Sequence, residues 1–310
     1  MLTQASQIIS EVKKAIVGKD QIIEKVLMVV LAGGHILLED VPGVGKTTLA
    51  LAFSKSMGLD CRRIQFTPDT MASDIVGYSV YNKQSGKFEY LPGAVFCNML
   101  LADEINRTSP KTQAALLEVL EEGCATVDGV TRPLPDPFIC IATQNPTGSI
   151  GTQNLPNSQL DRFMVRLSMG YPDLENQIDI IKSRHTENPL NNIKPALSKE
   201  NFLILRSKIQ EVFVADDVIR YAVTLCERTR NMPLIEQGVS PRAVLALAQM
   251  AKACAFLSDR DFVIPEDIKV VFKDVCCHRL VLKPQAKIMK ETAVSMLDIV
   301  LAEVPAPSIL

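Results

Sequence analysis

Two glycines, a lysine and two threonines stand close together between two apolar segments near the N-terminus. The run is Val41-Pro42-Gly43-Val44-Gly45-Lys46-Thr47-Thr48, with Ile36-Leu37-Leu38 before it and Leu49-Ala50-Leu51-Ala52-Phe53 after it. Glycines let backbone N–H groups turn towards one point, and a following helix adds its positive N-terminal dipole there. The stretch therefore predicts a phosphate-binding loop between a strand and a helix.

The side chains at the end of this loop suit a nucleoside triphosphate with a divalent cation. Lys46 is placed to reach the β- and γ-phosphates, Thr47 offers a hydroxyl to Mg²⁺, and Thr48 is the next residue of the helix. The usual pattern has a glycine at the entry of the loop, where this chain has Asp40. The alternative is a glycine-rich turn with a solvated lysine, and the correct flanking segments argue against it.

A second chemical feature is an apolar run that ends in two acids, Met99-Leu100-Leu101-Ala102-Asp103-Glu104. Such a run predicts a buried strand that delivers carboxylates to the carboxyl edge of a parallel sheet, where ligands bind. There Asp103 would hold Mg²⁺, and Glu104 would orient and deprotonate the water that attacks the γ-phosphate. A helix cap or a solvated turn is the alternative for an isolated acidic pair.

Another buried strand is predicted over Phe138-Ile139-Cys140-Ile141-Ala142-Thr143, and Gln144-Asn145-Pro146 follows it. Asn145 at that edge is a candidate to hydrogen-bond the attacking water or the γ-phosphate. Without the neighbouring motifs, Asn-Pro would predict only a turn. His35, which opens the first strand, is assigned no catalytic role.

Composition limits the class of protein. The 310 residues are 47% hydrophobic and 22% charged, which is enough for a large core and two domains. The formal net charge of −2 provides no basic footprint, and this argues against nucleic-acid binding.

Eight cysteines without a C-x-x-C spacing predict reduced core residues. The longest apolar run, Val26 to Ala32, is too short for a membrane span, so we expect a cytoplasmic protein.

Two hairpins and a helix are predicted between the catalytic motifs. Helical and strand periodicity both fail over residues 76–93, which predicts an inserted hairpin or loop, either solvated or in contact with a partner. Residues 125–132 alternate around Asp128-Gly129, a hairpin signal. The helix that begins at Pro110 carries three acids, Glu118, Glu121 and Glu122, which we interpret as a solvated face and not as a metal site.

The remainder of the chain is helical in pattern. A connecting helix is predicted over residues 174–186, followed by segments at 199–212, 215–230, 240–257, 265–281 and 285–303 that prolines separate. We expect an α/β nucleotide-binding core at residues 1–186, with a parallel sheet flanked by helices, and a smaller all-α lid domain at residues 187–310. Ser240-Pro241-Arg242 starts a lid helix, with serine as the N-cap and proline in the first turn.

In this order the motifs resemble those of the AAA+ ATPases and, more narrowly, of the MoxR family. The resemblance is carried by Glu39-Asp40-Val41-Pro42-Gly43-Val44-Gly45-Lys46-Thr47, Leu100-Leu101-Ala102-Asp103-Glu104-Ile105-Asn106-Arg107, Ala142-Thr143-Gln144-Asn145-Pro146 and Gln159-Leu160-Asp161-Arg162-Phe163. MoxR proteins often lack the first glycine of the loop, and this chain likewise has Asp40 at that position. The resemblance implies an AAA+ P-loop fold with Walker A and Walker B motifs.

The resemblance also assigns roles to single residues. It implies that Asn145 is sensor 1 and that Arg162 is an arginine finger that reaches a neighbouring subunit's nucleotide. Arg242 would be sensor 2, touching the γ-phosphate in cis or in trans, and Val17-Gly18 would lie beside the adenine. The alternatives are a structural ion pair of Arg162 with Asp161 or another acid of its own subunit, and a solvated first-turn arginine at Arg242.

The function implied by the resemblance is Mg²⁺-dependent ATP hydrolysis by a hexameric ring of identical chains. Such a ring remodels a client protein in a chaperone-like role, often beside a partner with a von Willebrand factor A domain. Two alternatives remain. A nucleotide-switch scaffold with little turnover is disfavoured by Glu104, Asn145 and Arg162. A DNA-associated AAA+ motor would need a basic hairpin, whereas residues 125–132 carry only Arg132 against Asp128.

Overall fold

The computed structural model describes residues 2–41, 43–145, 155–184 and 188–308. The α-helices are, in chain order, α1 (Leu2–Lys13), α2 (Asp20–Ala32), α3 (Lys46–Ser56), α4 (Ala72–Val76), α5 (Pro110–Glu122), α6 (Asn157–Leu160), α7 (Leu174–Arg184), α8 (Lys199–Gln210), α9 (Asp216–Arg230), α10 (Pro241–Leu257), α11 (Pro265–Cys276), α12 (Pro284–Ile288) and α13 (Ala293–Glu303). The strands are β1 (Ile36–Glu39), β2 (Cys61–Gln65), β3 (Gly77–Asn82), β4 (Lys87–Pro92), β5 (Met99–Asp103), β6 (Cys124–Val127), β7 (Val130–Pro133), β8 (Ile139–Gln144), β9 (Val165–Leu167), β10 (Ile235–Gln237) and β11 (Val281–Leu282). Single turns of 3₁₀ helix span Ile105–Arg107 and Pro189–Asn192.

Five parallel strands form the central sheet in the order β2-β5-β8-β1-β9. In this register Glu39 lies opposite Gln144, and Gln65 lies opposite Asp103. The polar residues that follow β1, β5 and β8 therefore meet at one carboxyl edge, where α/β sheets bind ligands. The predicted α/β fold is confirmed.

Alternate residues of β5 separate the two sides of the sheet. The strand is buried at all five positions. Met99 and Leu101 pack in the cluster that contains α2 and α3, whereas Leu100 and Ala102 pack in the cluster that contains α5. Since both faces are covered, an unbroken apolar run is the pattern that such a strand requires.

The C-terminal helices pack directly on the first helices of the chain. α8 and α10 both contact α2, and one hydrophobic cluster runs from Leu27 through Leu38 to Leu247 and Phe272. The helical lid is confirmed, and it shares a core with the α/β part. The predicted domain boundary, between residues 186 and 187, lies outside the described residues and stays a prediction.

The prediction of one continuous helix at the end of the lid is wrong. Residues 285–303 form two helices, α12 and α13, and not one. Lys290 has a left-handed φ of 58°, which interrupts the helix. Thr292 then caps α13 by accepting a hydrogen bond from the backbone of Ser295 at 3.1 Å. A short antiparallel pair, β10 with β11, also joins two lid loops.

Both predicted hairpins are present. β3 pairs with β4, and β6 pairs with β7 around Asp128 (φ 53°) and Gly129 (φ 74°), the conformation of a two-residue hairpin turn. The guanidinium of Arg132 lies 3.8 Å from the centre of the Tyr90 ring, so the two hairpins are in contact. Phe88 on β4 is 73% exposed.

Within the described ranges, no helix has the length and apolar character needed to span a bilayer. All eight cysteines are free thiols, and all except Cys61 and Cys124 are buried.

His35 joins the start of β1 to the end of α5 and to β8. Its Nδ1 accepts a hydrogen bond from the backbone N–H of Cys140, and its Nε2 lies within hydrogen-bonding distance of the Leu120 carbonyl, both at 3.1 Å. These contacts suit the neutral ring with the proton on Nε2. Burial lowers the pKa of His35 to about 4, although the hydrogen bond to Leu120 opposes the shift. The role is structural.

We predict that protonation of His35 weakens the fold in acid. Because the pKa is about 4 in the folded state and 6.5 in the unfolded state, the unfolded chain takes up the proton first as the pH falls. Stability is lost between these two values. Between pH 7 and pH 5 the parent should therefore lose about 2 kcal/mol more free energy of unfolding than His35→Gln, measured by urea denaturation at each pH. Equal losses would contradict this role.

Candidate functional site

The phosphate-binding loop leaves β1 and enters α3 with its glycines in the left-handed region. Gly43 has φ 86° and Gly45 has φ 99°, a conformation that side chains disfavour. A Cβ at Gly43 would meet no atom within 4 Å, so the loop borders open space. α3 begins at Lys46, so the N–H groups of its first turn have no partner within the helix and are available to a ligand. The predicted site residue Pro42 lies outside the described residues.

Lys46 is a buried cation at the start of α3. Its ammonium donates to the carbonyl of Asp40 at 2.8 Å and to that of Val41 at 3.4 Å. Burial lowers the pKa of Lys46, and the charges of Asp40, Asp103 and Glu104 oppose that shift. Because the hydrogen-bond partners of the ammonium are neutral carbonyls, they leave its interaction with an anionic ligand uncompensated by an ion pair.

Asp40, which replaces the expected glycine, has a structural function at the loop entry. Its carboxylate accepts hydrogen bonds from the Ser168 hydroxyl at 2.9 Å and from the backbone N–H groups of Met169 and Gly170. These residues follow β9. The acid therefore ties the loop entry to the segment that leads into α7.

Asp103 and Thr47 offer the oxygen donors that Mg²⁺ prefers. Asp103 is buried, and its carboxylate accepts from the Thr143 hydroxyl at 2.5 Å and from Arg63 at 2.8 Å. Each carboxylate oxygen keeps a further lone pair for a metal-bound water. Thr47 lies in the first turn of α3 and is half-buried. The residues present therefore fit a magnesium ion.

Glu104 adopts a left-handed backbone with φ 58° and ψ 48°, a strained conformation for glutamate. Its N–H donates to the Thr143 hydroxyl at 2.9 Å. Its carboxylate accepts from Gln65 at 2.9 Å, from Arg107 at 2.7 Å and from Asn145 at 3.2 Å. The structure thus brings the predicted base and Asn145 together.

The side chain of Asn106 holds both backbone polar groups of Asn145. The Asn106 side chain donates to the Asn145 carbonyl at 3.2 Å and accepts from the Asn145 N–H at 3.4 Å. The side-chain Oδ1 of Asn145 is buried and has no hydrogen-bond partner among the described residues. A water molecule beside Glu104 would satisfy it.

Sequence reasoning missed five supporting residues. They contact the acidic pair or Asn145, and they are Arg63, Gln65, Asn106, Arg107 and Thr143. Three of them stand on strands β2 and β8 next to β5, so strand order in the sheet was the signal needed to find them.

A cavity of about 230 Å³ lies beside the loop. Its lining combines the loop with the segment before α2, and includes Ile16, Val17, Val44, Gly45, Thr48, Met169 and Ile181. Gly18 has φ 70°, and a Cβ there would come within 2.1 Å of the Asn176 side chain. The structure therefore brings the Val17-Gly18 segment to the phosphate-binding loop, around a largely apolar space that suits a purine ring.

Arg162 and Arg242 lie elsewhere. Together with Glu121 they line a second cavity of about 310 Å³, and neither lines the cavity beside the loop. Arg162 donates through Nε to Glu121 at 2.7 Å, and Arg242 donates to the other oxygen of that carboxylate. Asp161 pairs with Arg279 and not with Arg162. Glu121 stands on the exposed face of α5 as expected, but it binds two cations.

Comparisons with known proteins agree with this architecture. A profile for the ATPase family associated with various cellular activities (AAA) matches residues 35–165, and a profile for an AAA lid domain matches residues 227–298. Chaperone MoxR1 of Mycobacterium tuberculosis is 40% identical over 88% of this chain and 74% of its own. The chain belongs to the MoxR family of AAA+ ATPases.

Other relatives of this MoxR protein cover nearly its whole length. The uncharacterised protein YeaC of Bacillus subtilis is 45% identical over 96% of this chain and 93% of its own. A crystal structure from Cytophaga hutchinsonii, described as a candidate ATPase, superposes with a TM-score of 0.93 at 37% identity, covering 99% of this chain and 96% of the other. The family resemblance predicted from the motifs is confirmed.

Replacing Lys46 tests the phosphate-binding loop. Lys46→Ala removes the cation at the loop, so ATP affinity and turnover should each fall by at least about 100-fold. Isothermal titration calorimetry measures the first and phosphate release the second. Lys55→Ala, an exposed lysine of the same helix, is the control and should keep parental affinity. Unchanged ATP affinity in Lys46→Ala would disprove the assignment of the loop.

Replacing Glu104 separates binding from chemistry. Glu104→Gln keeps the size of the side chain but cannot accept a proton, so ATP with Mg²⁺ should bind and persist while hydrolysis falls by about 10² or more. Filter binding and single-turnover phosphate release make the comparison. Glu118→Gln, an exposed acid on α5, should behave as the parent. Parental hydrolysis by Glu104→Gln would show that Glu104 is not the base.

Proposed function

We propose that this protein is a Mg²⁺-dependent ATPase that acts as a ring of identical subunits and remodels partner proteins. One observation carries the proposal. Lys46, Asp103, Glu104 and Asn145 gather at the sheet edge. Arg162, the candidate arginine finger, and Arg242, the candidate sensor 2, line a different cavity of the same chain. We propose that a second copy of the chain supplies the arginines that complete the site.

The chemistry is in-line attack of water on the γ-phosphate of ATP. Glu104 takes one proton from the water. The other O–H of the water donates a hydrogen bond to Oδ1 of Asn145, which has no partner among the described residues. Lys46 and the N–H groups of the loop bind the β- and γ-phosphates. Thr47 and Asp103 would hold Mg²⁺, which neutralises charge on the phosphate oxygens when it is bound.

Arg162 and Arg242 would act in trans on the neighbour's nucleotide. A cation at the transferring phosphoryl group stabilises the charge of the transition state, and a finger supplied by another subunit makes hydrolysis depend on assembly. A closed hexamer presents one such interface to every nucleotide. The alternative is a purely structural role for Arg162 through its own-subunit ion pair with Glu121, and a mixture of variants distinguishes the two roles.

The substrates that we propose for the ring are proteins. The name of the relative Chaperone MoxR1 supports this choice, as does the exposed aromatic face of β3 and β4, where Tyr81 and Phe88 pack edge to face with centroids 5.4 Å apart. A partner with a von Willebrand factor A domain is part of the proposal. The guanidinium of Arg132 donates to carbonyls of its own hairpin and stacks on Tyr90, which disfavours a DNA-tracking hairpin.

We place this activity in the cytoplasm. Eight free thiols without a disulfide among them suit a reducing compartment. The placement is checked by fractionation of cells that express the tagged protein.

A mixture of two inactive variants tests the shared site. Arg162→Ala should bind ATP normally but hydrolyse it about 10³-fold more slowly, and Glu104→Gln should be slow for another reason. After subunit exchange in a 1:1 mixture, about one quarter of the interfaces combine an intact Glu104 with a neighbour's intact Arg162. The steady-state rate should then approach about one quarter of the parental value, far above either variant alone.

The mixture also decides between the two roles of Arg162. If Arg162 is purely structural, every Arg162→Ala chain stays defective whatever its neighbour is. Co-assembly is verified by energy transfer between labelled subunits. A co-assembled mixture that is no faster than its separate components would reject the shared site.

A further inference from the structure

Glu121 is the one acid in the described structure that binds both Arg162 and Arg242. Arg162 belongs to the loop before β9, and Arg242 belongs to the first turn of lid helix α10. Each takes a different oxygen of the carboxylate. Two guanidiniums repel each other unless an anion stands between them. The carboxylate therefore joins a cation of the α/β part to a cation of the lid.

The geometry of these bonds leaves both arginines able to bind a further anion. Arg162 uses Nε for Glu121, and its Nη1 makes only a 3.4 Å contact with the Ser158 carbonyl. Arg242 uses a single terminal nitrogen. An arginine has five N–H donors, so most of them remain for the phosphate oxygens of a ligand in the second cavity. A carboxylate that sequestered the arginines would engage their paired terminal nitrogens instead.

The position of Glu121 in α5 is otherwise unfavourable. It is the residue before the last of the helix, where the negative end of the helix dipole disfavours a carboxylate. Even so, the hydrogen bonds from Arg162 and then Arg242 lower the pKa of Glu121. The helix end is itself fixed, because the carbonyl of Leu120 is bonded by His35.

Buried contacts hold the segments that carry the two arginines. The Arg279 side chain, 2% exposed, pairs with Asp161 at 2.6 Å and donates to the carbonyl of Phe163 at 2.6 Å. The hydroxyl of Ser240, which caps α10, also donates to Asp161. The backbones before Arg162 and Arg242 are thus fixed to one carboxylate, and Glu121 fixes the ends of their side chains.

We infer that Glu121 is the positioning residue of the trans-acting site, aligning Arg162 and Arg242 together on the γ-phosphate bound by the neighbouring subunit. The inference rests on the proposed function. Glu121 does not touch the nucleotide and takes no proton. It acts through the two guanidiniums, and it makes the alignment of the finger depend on the position of the lid.

Kinetics of Glu121→Gln test this role. A glutamine keeps the shape but presents an N–H group to one arginine, so that arginine loses its partner. Turnover (kcat) should fall by about 10- to 100-fold, whereas KM for ATP should stay within about twofold because the P-loop is untouched. Glu122→Gln, the neighbouring exposed acid, should match the parent. Parental or raised kcat in Glu121→Gln would overturn the inference.

Mixtures show on which side of the interface Glu121 acts. Glu121→Gln mixed with Glu104→Gln should recover activity, because about one quarter of the interfaces are then intact. Glu121→Gln mixed with Arg162→Ala should not, because both lesions lie on the finger side. In the Arg162→Ala background, Glu121→Gln should lower kcat by a smaller factor than in the parent, because only Arg242 is then left for Glu121 to align.

The two levels of the proposal fail in different ways. No recovery in the Arg162→Ala plus Glu104→Gln mixture rejects the shared site itself. Recovery in that mixture, with none in Glu121→Gln plus Glu104→Gln, rejects only the role of Glu121. A general loss of folding would appear as a lower unfolding temperature and a changed ATP affinity, and Glu121→Gln should show neither.

Discussion

The hydroxyl of Thr143 is the contact on which the catalytic edge depends. It donates to the carboxylate of Asp103 and accepts from the backbone N–H of Glu104, so one buried oxygen on β8 fixes both acids at the carboxyl end of β5. Glu104 stays in a left-handed conformation that an isolated chain would leave. With the backbone held there, its carboxylate meets Asn145. The geometry of the site thus follows from the pairing of two strands.

The second constraint is the shared core of the lid and the α/β part. Because α8 and α10 pack on α2, the lid lies against the same helix that precedes the phosphate-binding strand. The first turn of α10 is thereby placed beside the loop that carries Arg162, away from the cavity at the P-loop. This arrangement is why Lys46 and the two arginines, Arg162 and Arg242, lie in different parts of a single chain.

Local sequence patterns predicted the parts of the site that local structure builds. The glycines around Lys46 and the acids that end an apolar run each reveal a conformation within a few residues. Such local patterns do not reveal which residues distant in the chain will contact each other in the fold. Glu121 looks like any solvated acid of an amphipathic helix until the fold brings two arginines to it, from positions 41 and 121 residues along the chain. The break at Lys290 was missed because the apolar spacing continues across it.

The contact between Arg132 and Tyr90 has a mechanical consequence. The β6–β7 hairpin begins directly after the end of α5, and through this contact it abuts the aromatic β3–β4 hairpin. The end of α5, where Glu121 binds Arg162 and Arg242, therefore adjoins the start of the β6–β7 hairpin, and that hairpin in turn contacts the β3–β4 hairpin. A rotation of α5 would therefore displace the β6–β7 hairpin and, through the contact of Arg132 with Tyr90, the β3–β4 hairpin, and the displacement would be largest at the hairpin tips.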